Sequence, residues 1–305
     1  MNIISVLTKQ LNYSEQDLLR LILNAPYKYR VYTIPKRVHG RRTIAQPTKA
    51  VKELQKSYLK YQKFPFHNSS MAYRKNYSIK DNADLHKANS FLLKMDLANF
   101  FNSLTPSIFW NVWQEYWEYP QLLERKLIES ILFWNNSGNL VLSVGAPSSP
   151  TISNFCMSFF DIAVSEYCNS INVVYTRYAD DLTFSTCVSN ILSTIPNFIS
   201  SILIEKFHGN ISINNQKTVF SSKAHNRHVT GITITNDGKL SIGRDRKKYI
   251  KHLINQYKYN LLDDDTIYHL KGMISFANHI EPEFISAMKK KYSSILIDEI
   301  IEVVK

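Results

Sequence analysis

Cysteine is scarce in this 305-residue chain. Cys156, Cys168 and Cys187 form an odd set without metal-ligand spacing, which argues against a disulfide framework and predicts reduced, buried thiols, as in a cytoplasmic protein. His225 and His228 lack the cysteines or acids that would complete a zinc site. Long apolar runs are also missing. The start, Met1-Asn2-Ile3-Ile4-Ser5, has no basic region followed by an apolar stretch, so neither a signal peptide nor a membrane span is expected. No repeat or low-complexity tract stands out. Positive charge is what the chain has in excess: Lys and Arg number 37 against 25 Asp and Glu, a net charge of +12. That balance suits a polyanionic partner, although a merely basic soluble protein would share it. With 44% hydrophobic residues, the chain is long enough for two or three subdomains around a substantial core.

The acids are informative because they stand out in a basic chain. Tyr178-Ala179-Asp180-Asp181 lies between the β-prone runs Val173–Thr176 and Leu182–Phe184. Asp-Asp at a hairpin tip is either a solvated turn or, beside a third carboxylate, part of an all-oxygen Mg²⁺ site. Asp96 is the candidate third acid, at the end of the apolar run Phe91–Leu97, which reads as a largely buried strand. A helix N-cap is the other reading of Asp96. Thr105-Pro106 is the better cap signal for a helix through Trp110, Trp113 and Trp117. Two metal ions held by such acids suit nucleotidyl transfer, one activating the attacking oxygen and one holding the leaving phosphate.

Elsewhere the pattern predicts a helix opened by Ser14-Glu15-Gln16-Asp17, a hairpin over residues 30–47 turning near His39-Gly40, and a helix over 49–61. Aromatic-rich helices are expected over 106–134, with core packing favoured over base stacking for their rings. One continuous helix is expected over 150–169, with Ile152, Phe155, Cys156, Phe159, Ala163 and Tyr167 on its buried face, and another over 188–207. Strands are expected near 211–213, 218–221, 229–235 and 239–242. Arg244, Arg246, Lys247, Lys248, Lys251 and His252, with Tyr249 and Tyr257, and later Lys289-Lys290-Lys291, read as a basic helical tail suited to a duplex backbone, or else as a solvated charged face. In Asp263-Asp264-Asp265, Asp265 is expected to cap the helix that follows.

Six motifs in order resemble those of reverse transcriptases. Tyr32–Arg37 with Gly40–Ile44 resembles the opening block, and Asp96-Leu97-Ala98-Asn99-Phe100-Phe101 the first aspartate motif. Gly145–Pro150 resembles the template-and-nucleotide motif of the bacterial enzymes, and Tyr178–Asp181 the catalytic hairpin. Asn215-Gln216-Lys217-Thr218 resembles the lysine motif, and Val229-Thr230-Gly231 the primer-grip hairpin. Asn82-Ala83-Asp84-Leu85-His86 is similar to the Asn-Ala-x-x-His element of retron reverse transcriptases, whose other hallmark is Val-Thr-Gly.

The resemblance implies an α+β right-hand polymerase. Residues 1–90 would form fingers, 91–106 and 142–242 an antiparallel palm sheet packed on helices, 107–141 an insertion between fingers and palm, and 243–305 a small helical thumb. It implies RNA-directed DNA synthesis with two Mg²⁺ ions held by Asp96, Asp180, Asp181 and the carbonyl of Leu97. Lys217 would act as general acid. Lys36, Arg42, Asn99, Phe100, Phe101 and Gly145 would contact the nucleotide, with Phe101 as the steric gate against a 2′-OH. Asn82, His86, Thr230, Gly231, Arg244, Lys247, Lys248 and Lys251 would contact RNA or primer. The implied partners are deoxynucleoside triphosphates, a cognate structured RNA primed from a guanosine 2′-OH, its branched msDNA product, and an effector protein encoded nearby in phage defence, with no membrane. The chain departs from the pattern at Val144, where Gln is usual, at Ser143, often Pro, and at Ala72-Tyr73, usually Gly-Phe. A reverse transcriptase without branched priming, or an RNA-binding scaffold that has lost catalysis, are the competing readings.

Overall fold

The computed structural model describes residues 3–35 and 40–303. At its centre is the strand Phe91–Ala98, which pairs antiparallel with Asp181–Thr186 on one side and with Ser212–Ile213 and Val219–Ser222 on the other. Val174–Tyr178 adds the outer strand of a hairpin with Asp181–Thr186. Side chains alternate across a strand. Leu93, Met95 and Leu97 therefore enter the main core, while Leu92 enters a second core built with the C-terminal helices. Lys94 and Asp96 share the face of Leu92, which places Asp96 where the two cores meet.

The main core takes the inner faces of the helices Ile3–Leu11, Glu15–Asn24, Lys49–Tyr61, Pro106–Trp113 and Leu122–Leu132. Ser14 caps its helix by accepting from the Asp17 amide, as its sequence predicts. The rings of Phe64, Phe109, Trp113, Trp117 and Phe155 stack edge to face within this core, with Phe64 and Phe155 centroids 5.0 Å apart. These rings pack rather than await nucleobases. The ribbon Tyr29–Pro35 with Arg41–Pro47 leaves Val31, Tyr32 and Ile34 exposed; its expected turn at His39 lies outside the described residues.

Several expected elements are corrected. The helix expected over 150–169 breaks at Met157 (φ −89°, ψ 0°) into Ser149–Cys156 and Ser158–Ser170. The break re-phases the buried face onto Phe160, Asp161, Val164 and Cys168, leaving Phe159, Ala163 and Tyr167 only partly buried. The helix expected from 188 begins at Ile195, after left-handed Asn190 and a short 3-10 turn, because Pro196 fits only the first helical turn. The strand expected over 229–235 is two strands, Arg227–Val229 and Ile232–Ile234, around a Thr230-Gly231 turn; with Leu240–Ser241 they form a separate three-stranded sheet. Asp263, not Asp265, caps the helix Asp264–Ile280, accepting from the Thr266 amide. Cys156 and Cys168 are buried, but Cys187 is exposed just past the strand end.

The chain ends in helices Arg244–Lys258, Asp264–Ile280, Pro282–Tyr292 and Ser294–Glu302, packed through Ile250, Ile254, Leu270, Ile274, Ile297 and Ile300. Among the described residues no helix is long and apolar enough to cross a membrane.

Candidate active site

The antiparallel register sets Asp96 directly opposite Asp181. The Asp180 carbonyl accepts from the Leu97 amide at 2.9 Å, which closes the hairpin tip onto the central strand. Ala179 makes the sharp turn in the left-handed region, φ 58°. Burial, with Asp180 and Asp96 close by, pushes the Asp181 carboxyl up to about 6. Asp180 is raised too, chiefly by burial, and the charges of Lys217 and Arg42 oppose the rise. Carboxylates crowded and dehydrated in this way favour a bound cation.

Asp96 has protein partners already. Lys217 Nζ donates to its Oδ2 at 2.7 Å and Asn214 Nδ2 to its Oδ1 at 3.1 Å. The hydrogen bond to Asp96 raises the Lys217 pKa. Among the described residues, no three His, Cys, Asp or Glu side chains stand close enough to hold one ion as they are placed. The donors fit a hard cation in kind, since all are carboxylate oxygens. Asp96 would have to exchange Lys217 for the ion.

A cavity of about 560 Å³ opens over this centre, lined by Asp96, Tyr178, Asp181, Lys217, Thr230 and Gly231. A second, of about 350 Å³, is bordered by Tyr73, Phe101, Val144 and Gly145. A third cavity, of about 980 Å³, lies along the outer hairpin strand, and none of the three aspartates lines it. Gly145 (φ 123°) lets its loop close on the ribbon: a Cβ there would lie 3.2 Å from the Ala45 carbonyl oxygen, and the Val144 carbonyl accepts from the Ala45 amide. Asn99 is exposed in the left-handed region at the start of the short helix that carries Phe101.

Other expected contact residues are placed differently. Phe100 is buried in the main core, with its ring edge-on to Phe101. His86 is fully buried, with Nδ1 2.7 Å from Ser185 Oγ and Nε2 2.8 Å from Thr176 Oγ1. Asn82 is buried as well, and its amide reaches Thr230 Oγ1 at 3.5 Å. The two retron-like elements therefore meet each other, with Asn82 at the Thr230 turn and His86 between two strands of the sheet. Thr230 Oγ1 also donates to the Ile79 carbonyl, and the Gly231 carbonyl accepts from Arg246 at 2.7 Å. Arg244 and Lys248 are exposed, whereas Lys247 is paired with Glu281 at 2.5 Å and shares the Phe284 ring with Lys251. Lys36 lies outside the described residues.

Sequence reasoning missed Arg177 and Asp161. Both are fully buried and joined by two hydrogen bonds of 2.8 and 2.6 Å, with Tyr175 donating to the same carboxylate. An arginine inside an apolar hairpin strand was the available signal, since a buried charge needs a partner.

Residues 34–234 match the family model described as reverse transcriptase (RNA-dependent DNA polymerase). The chain is 44% identical to Retron Ec83 reverse transcriptase of Escherichia coli, covering 96% of each chain. It is 32% identical to Retron Ec86 reverse transcriptase of the same organism, over 96% of this chain and 91% of the relative. Among solved structures it resembles a Candida albicans telomerase, with a TM-score of 0.50 and 12% identity, over 91% of this chain and 61% of the telomerase chain. A Candida tropicalis telomerase gives a TM-score of 0.50 at 16% identity, over 87% of this chain and 58% of that one. These two likenesses speak for the fold alone, an α+β right-hand polymerase. The chain belongs to the reverse transcriptases, which are RNA-directed DNA polymerases, and among them to the retron enzymes of bacteria.

Proposed function

We propose that this reverse transcriptase copies part of a cognate structured RNA, starting from a guanosine 2′-OH, to give branched msDNA. We further propose that the product acts with an effector protein encoded nearby in phage defence, in the cytoplasm. The observation that carries the catalytic part is the cross-strand pair Asp96 and Asp181 with Asp180 tied to Leu97. Retron relatives over nearly the whole chain support the choice of RNA.

In this reading Asp96, Asp180, Asp181 and the Leu97 carbonyl would hold two Mg²⁺ ions, which when bound lower the pKa of a primer hydroxyl and neutralise triphosphate charge. Lys217, which rests on Asp96 before the ions enter, is placed to deliver its proton to departing pyrophosphate. Lys36 and Arg42 grip the triphosphate, while Asn99 and Gly145 border the nucleotide. Phe101 excludes a ribose 2′-OH. Thr230 and Gly231 hold the primer end, and Arg244, Lys248 and Lys251 follow the duplex backbone. Residues 1–90 serve as fingers, 91–106 and 142–242 as palm, 107–141 as an insertion between fingers and palm, and 243–305 as thumb.

The test is expression of the chain with its upstream flanking DNA, followed by extraction of nucleic acid. The expected result is a short DNA that separates from RNA only after debranching, and that is absent in Asp180→Asn. DNA without a branch would overturn the priming step. No DNA, together with no synthesis on a primed RNA template, would overturn the catalytic assignment.

A further inference from the structure

The Thr230–Gly231 turn lines the cavity over the aspartates, in a backbone shape that its first residue does not favour. Val229 pairs with Ile232, so two residues close the hairpin, and both are left-handed, at φ 46° and 81°. Asn-Gly is the sequence that suits such a turn. A β-branched residue at positive φ is an outlier that the surroundings must hold in place. They hold it from two sides. On one, Thr230 Oγ1 donates to the Ile79 carbonyl at 3.3 Å, and the buried Asn82 amide lies 3.5 Å from the same hydroxyl. Both partners belong to the helix Ile79–Asp84.

On the other side stands Arg246. Its Nη1 donates to the Gly231 carbonyl at 2.7 Å and reaches the Ile242 carbonyl at 3.5 Å, and its guanidinium lies 5.5 Å from the centre of the Phe276 ring. Arg246 sits in the first turn of the helix Arg244–Lys258, where the helix dipole disfavours a cation. It forms no ion pair among the described residues. Its charge is met instead by two carbonyls and a ring. These contacts aim the guanidinium at the turn, whereas Arg244 and Lys248 on the same helix are exposed. Arg246 thereby ties three parts together: its own helix, the helix Asp264–Ile280 that carries Phe276, and the turn that shares a cavity with Asp96 and Asp181.

We propose that Arg246 is a positioning residue. Through the Gly231 carbonyl it fixes the turn over the aspartates, and it makes the place of the primer end depend on how the C-terminal helices are set. The proposal rests on the reading of Thr230 and Gly231 as the residues that hold the primer end. It removes Arg246 from the basic surface that follows the duplex backbone. Thr230 is the opposite anchor of the same turn, which accounts for a hydroxyl where the backbone favours asparagine.

The test is primer extension by the purified full chain on a primed RNA template, with binding of that duplex measured across a range of salt. Arg246→Met should lower kcat about tenfold to a hundredfold, the scale of a reacting group displaced by about 1 Å. KM for the primed template and the salt slope of binding should stay as they are. Arg246→Lys keeps a donor for the carbonyl and should recover part of the loss. Lys248→Gln is the contrast, with weaker binding and a slope smaller by about one. Single-turnover rate constants control for folding, because a misfolded fraction lowers the amplitude and not the rate. Thr230→Val keeps the side-chain shape without the hydroxyl and should also lower kcat. Combined with Arg246→Met it should cost less than the product of the two losses, since both act through one turn. Losses that simply multiply would overturn the shared anchor. A smaller salt slope with kcat retained in Arg246→Met would make that residue a backbone contact and overturn the proposal, as would unaltered kcat beside an impaired Thr230→Val. Full activity in Thr230→Val would instead fail the underlying reading of the turn.

Discussion

Arg177 Nη1 donates to the Ala179 carbonyl at 3.1 Å, so a fully buried guanidinium grips the turn that presents Asp180 and Asp181. The same side chain is paired with Asp161 and reaches Asn154 Oδ1 at 3.3 Å. Arg177→Met would leave Asp161 buried and uncompensated, at a cost of about 3–5 kcal/mol. Adding Asp161→Leu should recover most of that stability, because two apolar side chains can replace a buried pair. DNA synthesis should stay low in the double variant, since the Ala179 carbonyl has lost its anchor. Urea unfolding and primer extension on the same preparations separate the two effects; full activity in the double variant would show that the turn needs no anchor.

Lys217→Met tests the general acid. Loss of a positioned proton donor costs roughly 10²-fold or more in rate. The expected change is in kcat, with the alkaline limb of its pH profile abolished. Without the ions, the bond to Asp96 favours the charged ammonium, so Lys217 meets the arriving substrate with its proton in place. A limb that persists in Lys217→Met would assign it to another group.

His86 predicts a pH dependence of folding. Burial depresses its pKa from 6.5 to about 3, so it stays neutral in the fold while the unfolded chain takes up a proton. Its stabilising contribution is complete above pH 6.5 and is lost as pH falls toward 3, at about 1.4 kcal/mol per pH unit. Chemical unfolding at pH 7.5 and 5.0 should show this fall. His86→Gln should lessen it by one proton's worth, whatever its effect on stability at neutral pH. Equal slopes in the two proteins would place the proton elsewhere.

Gly145→Ala should both strain the loop and push it from the ribbon, since the added methyl would meet the Ala45 carbonyl oxygen and Ile44 Cγ2 at 3.2 Å with φ at 123°. A loss of about 1–3 kcal/mol in thermal unfolding is expected, with a higher KM for nucleotide. An unaltered KM would separate this loop from the nucleotide site.

The three aspartates were legible because strand periodicity and a turn tetrapeptide fix where such side chains go, and the register then aligns Asp96 with Asp181. What eluded sequence reading depended on contacts distant in the chain. Nothing local shows that His86 sits between Ser185 and Thr176, or that Lys247 is neutralised by Glu281. Helical spacing continues unbroken through Met157, yet the backbone breaks there and turns Asp161 toward Arg177. The misplaced cap had another cause: three successive aspartates satisfy the same composition rule, and only the bond from Thr266 selects Asp263.

The central strand borders two cores, with Leu92 in one and Leu93, Met95 and Leu97 in the other. A slip of one residue in its pairing would turn Asp96 into the main core and Met95 out of it. Burying an unpaired carboxylate there costs far more than a shifted methionine. Asp96 thus also guards the assembly of the sheet, by penalising each slip of an odd number of residues, the slips that would carry it away from the face it shares with Lys94 and Leu92.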